Sequence, residues 1–152
     1  LLVGSRGALG FLGDVILRTR PLPQVSQWFS VPSTNPFAVF AGLYRPASVL
    51  WNGSTVWALL EGHPADVAAQ AATSALQPCD GPPALPGGCR SSVPPASITS
   101  LTGVFVTEVG IGVVHHAEPR PPAARSARAS ALAAAVKAEF DPTMRLNPGV
   151  AV

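Results

Sequence analysis

The run Ala47-Ser48-Val49-Leu50-Trp51-Asn52-Gly53-Ser54-Thr55-Val56-Trp57-Ala58-Leu59-Leu60-Glu61 carries the strongest structural signal in this chain. Two apolar stretches, Ala47–Trp51 and Thr55–Glu61, flank Asn52-Gly53. Asn-Gly between such stretches predicts a β-hairpin, because both residues tolerate the positive φ of a tight turn. Downstream, Pro64–Leu76 reads as a helix, with Val67, Ala71 and Ala75 or Leu76 on one stripe. Upstream, Asn35-Pro36 is a good helix start, Asn as N-cap and Pro at the first helical position. Phe37, Phe40, Ala41 and Tyr44 then share a helical face, and Pro46 stops the helix. Val25–Val31 is a second strand candidate. Ala8–Thr19 is another, ended by Pro21 and Pro23.

Beyond the second helix, Pro78–Gly88 reads as a loop, and Pro94-Pro95 opens a short helix carrying Ile98 and Leu101. Val104–Val109 and Ile111–His115 form a further strand pair, broken by Gly110 and Gly112. Glu118–Pro122 is a linker. Ala124–Phe140 is alanine-rich and helical, with Leu132, Val136 and Phe140 at helix spacing. Strands and helices alternate in pairs rather than singly. That order predicts an α+β fold, an antiparallel sheet with helices packed on one face. No internal repeat shows at a fixed period. Trp51, Trp57, Phe105 and the pair Phe37 and Phe40 are assigned to the core.

A chain of 152 residues is one domain by length and is long enough to bury a core without disulfides or metals. The net charge of +2 reflects a small excess of arginine and forms no nucleic-acid footprint. Lysine occurs once, at Lys137; with abundant Ala, Gly and Pro, this points to a GC-rich bacterial genome. No apolar run reaches the length of a membrane span. The opening lacks the ordered regions of a signal peptide. It begins at Leu1, inside a strand-like run, so a fragment or processed chain is expected. Cys79 and Cys89 flank a Pro/Gly-rich loop. A disulfide between them is sterically possible, and two free thiols in a reducing cytoplasm are the favoured reading.

Three constellations carry chemistry. In Gly7-Ala8-Leu9-Gly10, glycine lets the backbone approach a ligand, and exposed N–H groups can hold a pyrophosphate. The spacing is not the dinucleotide fingerprint GxGxxG, so on spacing alone a glycine-rich strand that needs room is the better account of the residues. In Glu108-Val109-Gly110-Ile111-Gly112-Val113-Val114-His115, a carboxylate and an imidazole stand seven positions apart. Both coordinate divalent metals, but two ligands are an incomplete set, and no metal is assigned. The alternative is a hairpin whose glycines permit a tight bend. An imidazole titrates near neutral pH, which makes His115-His116 the acid/base candidate. Neighbours in a strand face opposite ways, so one of the two lines a pocket. His63 precedes Pro64 at a helix entrance and is read as structural or exposed. The third constellation is Phe140-Asp141-Pro142, then Leu146-Asn147-Pro148-Gly149, where Asn147 offers a donor and an acceptor. Read blandly, it is two turns closing a helix.

Taken in order, these segments resemble the C-terminal half of an FAD-linked oxidase of the vanillyl-alcohol-oxidase type. Asp14-Val15-Ile16-Leu17-Arg18-Thr19-Arg20-Pro21-Leu22-Pro23 looks like the strand by which that family leaves its FAD domain for the cap. Pro46–Trp51, Trp57–Gly62 and Ser92–Ser97 are similar to the glycolate oxidase FAD-binding subunit. The resemblance covers nearly all of this chain and only half of the family's polypeptide. It implies residues 1–23 as the end of the FAD-binding domain and the strand leading out of it, 24–138 as a cap domain with ferredoxin-like elements, and 139–152 as a return segment toward the flavin. It implies FAD-dependent oxidation of a 2-hydroxy acid such as glycolate. His115 and Glu108 then stand at the catalytic place, and Gly7, Ala8, Gly10, Leu12 and Asn147 at the cofactor. Related subunits carry His where this chain has Glu108, which puts their metal site in doubt here. The implied partners are an N-terminal FAD-binding half, a larger flavin subunit and an iron–sulfur subunit. The implied location is cytoplasmic, or peripheral at the membrane through those partners. Without its FAD-binding half the chain is expected to be inactive alone. The alternative is a non-catalytic interaction module that docks onto a flavin or iron–sulfur partner.

Overall fold

A computed structural model describes residues 5–19, 21–119 and 126–148. Leu1, Arg20 and Gly149 of the segments above lie outside the described residues, as do 120–122 of the linker and positions 124 and 125 of the last helix. The chain divides into two compact units. One is Pro21–Pro122; the other joins Leu1–Arg20 to Ala123–Val152.

The unit Pro21–Pro122 is α+β. Its elements are β1 (Val25–Pro32), α1 (Pro36–Ala41), β2 (Ser48–Trp51), β3 (Thr55–Gly62), α2 (Pro64–Thr73), β4 (Gln77–Pro78), β5 (Cys89–Ser92), a 3₁₀ helix (Pro95–Ser100), β6 (Phe105–Glu108) and β7 (Val113–His116). The seven strands form one antiparallel sheet in the order β4-β1-β3-β2-β6-β7-β5. The hairpin β2–β3 forms as predicted, pairing Trp51 with Val56. Its turn is displaced by one residue. Asn52 N–H donates to Thr55 O, so Gly53 (φ +103°) and Ser54 are central, and Asn52 Oδ1 accepts from the N–H groups of Ser54 and Thr55. Gly at the first central position is the type II′ arrangement, whose twist matches paired strands.

The register sorts the strand side chains onto two faces. Phe29, Val49, Trp51, Val56, Ala58, Leu60, Phe105 and Val114 share one face. They form a single cluster with Val67 and Ala71 of α2 and Ile98 of the 3₁₀ helix, with Phe37 and Val39 of α1 packed against it. Trp51 and Phe105 meet edge to face at 5.7 Å, a favourable aromatic geometry. Phe40, expected in the core, is 38% exposed and its ring lies over Gly110.

Local chemistry sets the helix ends. Asn35 Oδ1 accepts from Ala38 N–H, and His63 Nδ1 accepts from Ala65 N–H, so His63 is a structural cap. α2 closes at Thr73, short of the predicted Leu76. Leu76 N–H donates to Ala71 O and Ala75 N–H to Ala72 O, with Ala75 at φ +52°. These bonds make a Schellman ending with alanine where glycine is usual. β4 and β5, both within or beside the predicted loop, are the two edge strands. Cys79 follows one and Cys89 opens the other, and both thiols are free.

The other unit departs further from expectation. Ala8–Thr19 forms no strand. A strand needs a partner ladder, and all seven sheet strands lie between residues 25 and 116. Ile16 is fully exposed, and Phe11 and Leu17 nearly so. The helix α3 (Ala127–Phe140) forms, capped by Ser126 Oγ accepting from Ala129 N–H. Its expected apolar stripe is not buried: Leu132 is 66% exposed and Phe140 48%. The one buried side chain of α3 is Lys137. By contacts α3 groups with the chain's first segment, whereas the sequence reading grouped it with the sheet. Among the described residues no helix is long and apolar enough to cross a membrane.

Candidate functional site

In the sheet unit the candidate pair sits on the face turned away from the core cluster. Glu108 ends β6 and pairs across with Val113; His115, in β7, pairs with Val106. The two are therefore diagonal neighbours on one face. His115 Nε2 lies 3.9 Å from Glu108 Oε1, with both side chains partly exposed. Leu50, Val106 and Val113 flank them on the same face, and all three are buried. Arg90 of β5 stands directly opposite His115 in register. At 3.9 Å the pair is beyond direct hydrogen-bonding distance. It is suited to exchange a proton with a group seated between the carboxylate and the imidazole, or to ion-pair when the imidazole is charged.

The glycines between them have local causes. Gly110 has φ +100° and Gly112 φ +71°. A Cβ on Gly112 would lie 2.0 Å from Val93 O, where the backbone of residue 93 crosses and its N–H donates to Gly112 O. The Gly-x-Gly spacing is thus required by a tight bend and a backbone crossing. That bend returns His115 to the side of Glu108. His116 faces the other way, into the core, and shares a 2.8 Å hydrogen bond between its Nε2 and Ser91 Oγ. Of the two neighbouring histidines, His115 is the accessible one.

In the other unit the described segments around residues 6–8 and 137–147 meet. Ala8 N–H donates to Ser5 O, closing a turn with Arg6 at φ +52° and Gly7 at φ +74°, the signature of a type I′ turn. A Cβ on Gly7 would meet nothing within 4 Å, so glycine serves the dihedral and the space above it is open. Ala8 is fully buried, Gly10 half-buried and Leu12 exposed. Asn147 Nδ2 donates to Arg6 O at 2.6 Å, which leaves its carbonyl oxygen as an acceptor. The sequence reading missed the two residues that organise this corner. Lys137 Nζ donates to Ala8 O, Leu146 O and Asp141 Oδ2 at 2.5, 2.7 and 2.7 Å. Asp141 also accepts from the N–H groups of Arg145 and Leu146. The Lys137 hydrogen bond, helped by those N–H groups and by the ammonium charge and opposed by burial, lowers the Asp141 pKa to about 2. The available signal was a lone lysine, four residues ahead of an aspartate, in an arginine-rich chain.

Glu108 and His115 belong to one unit, and Gly7, Ala8, Gly10, Leu12 and Asn147 to the other. Among the described residues no group of three His, Cys, Asp or Glu side chains could hold a metal. A cavity of about 270 Å³, lined by Val25, Phe29, Val67 and Pro78, opens at the β1–α2 edge. It lies on the core side of the sheet and does not serve the Glu108–His115 pair. As a fit for FAD, the described residues offer an open turn and an acceptor at Asn147. They do not form an enclosure.

Fold and site together define an α+β protein with a seven-stranded antiparallel sheet and a carboxylate–imidazole pair on its outer face. No family model matches the chain, and neither a curated protein nor a solved structure does.

Proposed function

We propose that this chain is the cap half of an FAD-dependent oxidoreductase of the vanillyl-alcohol-oxidase type, similar to the glycolate oxidase FAD-binding subunit and acting on a 2-hydroxy acid. The observation that carries this reading is the convergence of Glu108 and His115, seven residues apart, on one partly exposed face. In this reading the pair accepts the hydroxyl proton of the substrate. Bound FAD supplies the hydride acceptor. The Ser5–Ala8 turn and Asn147 border the cofactor, and the rest of its frame comes from an FAD-binding half. A larger flavin subunit and an iron–sulfur subunit are the proposed electron-transfer partners.

The test is turnover of glycolate and related 2-hydroxy acids by the chain assembled with an FAD-binding half. His115→Ala is expected to lower kcat by about 10²-fold or more, the usual contribution of a positioned base, with the sheet intact by circular dichroism. Unchanged turnover would remove the pair from the chemistry.

A second reading, a non-catalytic module docking onto a flavin or iron–sulfur partner, is favoured by the exposed apolar side chains Phe11, Val15, Ile16 and Leu17, since such exposure marks interaction surfaces. It predicts assembly without flavin and no effect of His115→Ala.

A further inference from the structure

We propose that Lys137 is a positioning residue: its ammonium clasps the Ser5–Ala8 turn to the segment Asp141–Asn147 and thereby holds Asn147 against Arg6. What the assembled corner binds rests on the flavin reading; the clasp itself does not.

A buried charge is costly unless paired and fully hydrogen-bonded. Lys137 meets that condition. An ammonium has three donors, and three acceptors surround it: Ala8 O, Leu146 O and Asp141 Oδ2. They belong to segments about 130 residues apart in sequence. The chain has nine arginines and this one lysine. A planar guanidinium fork does not converge on three acceptors around a point, as a compact ammonium does. Asp141 extends the clasp. It takes the N–H groups of Arg145 and Leu146, and its own carbonyl accepts from Met144 N–H. Met144 (φ +53°) and Asn147 (φ +42°) hold left-handed conformations within that segment, which non-glycine residues keep only when their surroundings impose them. The unit has little apolar core to do so instead. Ala8 and Leu9 are its buried apolar side chains among the described residues. The polar clasp therefore does the positioning.

Because Lys137 is the only lysine, lysine labelled with ¹⁵N at Nζ gives one ammonium resonance. In the full chain that resonance should exchange slowly with water. In Lys137→Met and in Asp141→Asn, the Asn147 side-chain amide should move to its solvent-exposed shift, while the signals of Thr107 and Val114 in the sheet hold. Lys137→Arg should not restore it. An Nζ that exchanges like free lysine, or an Asn147 amide unmoved in Lys137→Met, overturns the proposal. FAD titration of the chain assembled with an FAD-binding half separates the two layers. Weakening by about tenfold in Lys137→Met, the loss of one such contact, supports positioning for the cofactor; equal affinity overturns it. A wild-type chain that shows the protected Nζ signal and, assembled with an FAD-binding half, binds no FAD counts against the flavin reading and leaves the clasp supported.

Discussion

Ala75 and Gly112 show what single positions contribute. Ala75 terminates α2 at φ +52°, where an L-residue with a Cβ is strained by about 1 kcal/mol. Ala75→Gly is therefore expected to stabilise the sheet unit by about 0.5–1 kcal/mol, read as a rise in urea midpoint with unchanged m-value. Gly112→Ala should do the reverse and more. Its Cβ would lie 2.0 Å from Val93 O, and a backbone atom cannot give way as a side chain can. A loss of about 3 kcal/mol or more is expected, with Glu108 and His115 displaced. Gly7→Ala meets open space and should cost only the dihedral strain, about 1 kcal/mol. The sequence shows that these glycines are special but not why. A left-handed turn and a backbone crossing leave the same letter, and only the crossing depends on residue 93, nineteen positions away.

At the scale of elements, the parts written in local chemistry were readable. The hairpin β2–β3, the Asn35-Pro36 helix start and the pair β6–β7 follow from turn residues and apolar runs that act over a few positions. Glu108 and His115 were readable for the same reason: their spacing within one hairpin brings them together. The errors lie where a distant partner decides. Ala8–Thr19 has strand composition and no ladder to join. β4 and β5 have weak composition, two and four residues long, and become strands because β1 and β7 offer open edges. Leu132, Val136 and Phe140 have helical spacing, yet a stripe is buried only if something covers it, and α3 instead buries Lys137. Substitutions should separate these cases. Leu132→Ser is expected to fall within about 0.5 kcal/mol of wild type, as for exposed positions generally. Ile98→Ala, at a fully buried position of the 3₁₀ helix, should cost about 2–5 kcal/mol. Thermal or urea unfolding checks both.

Across the whole molecule, the two units rest on different physics. The sheet unit has a continuous apolar cluster. The unit holding both chain ends depends on Lys137 and Asp141. The folded Asp141 carboxyl has its pKa lowered from 3.8 to about 2, so the unfolded chain takes up the proton first. The stabilisation is complete above the unfolded value and is lost as pH falls from about 4 to about 2. Hydrogen exchange at Ala8 and Leu146 should accelerate in that window before the sheet opens, and Asp141→Asn should abolish the pH dependence. That the chain takes part in a flavin reaction is checked by the visible spectrum of the chain assembled with an FAD-binding half, recorded anaerobically before and after glycolate. The account predicts a flavin band that survives gel filtration, is bleached by a 2-hydroxy acid, and is bleached about 10²-fold more slowly in His115→Ala. A colourless assembly, or a flavin band that no 2-hydroxy acid bleaches, would contradict it.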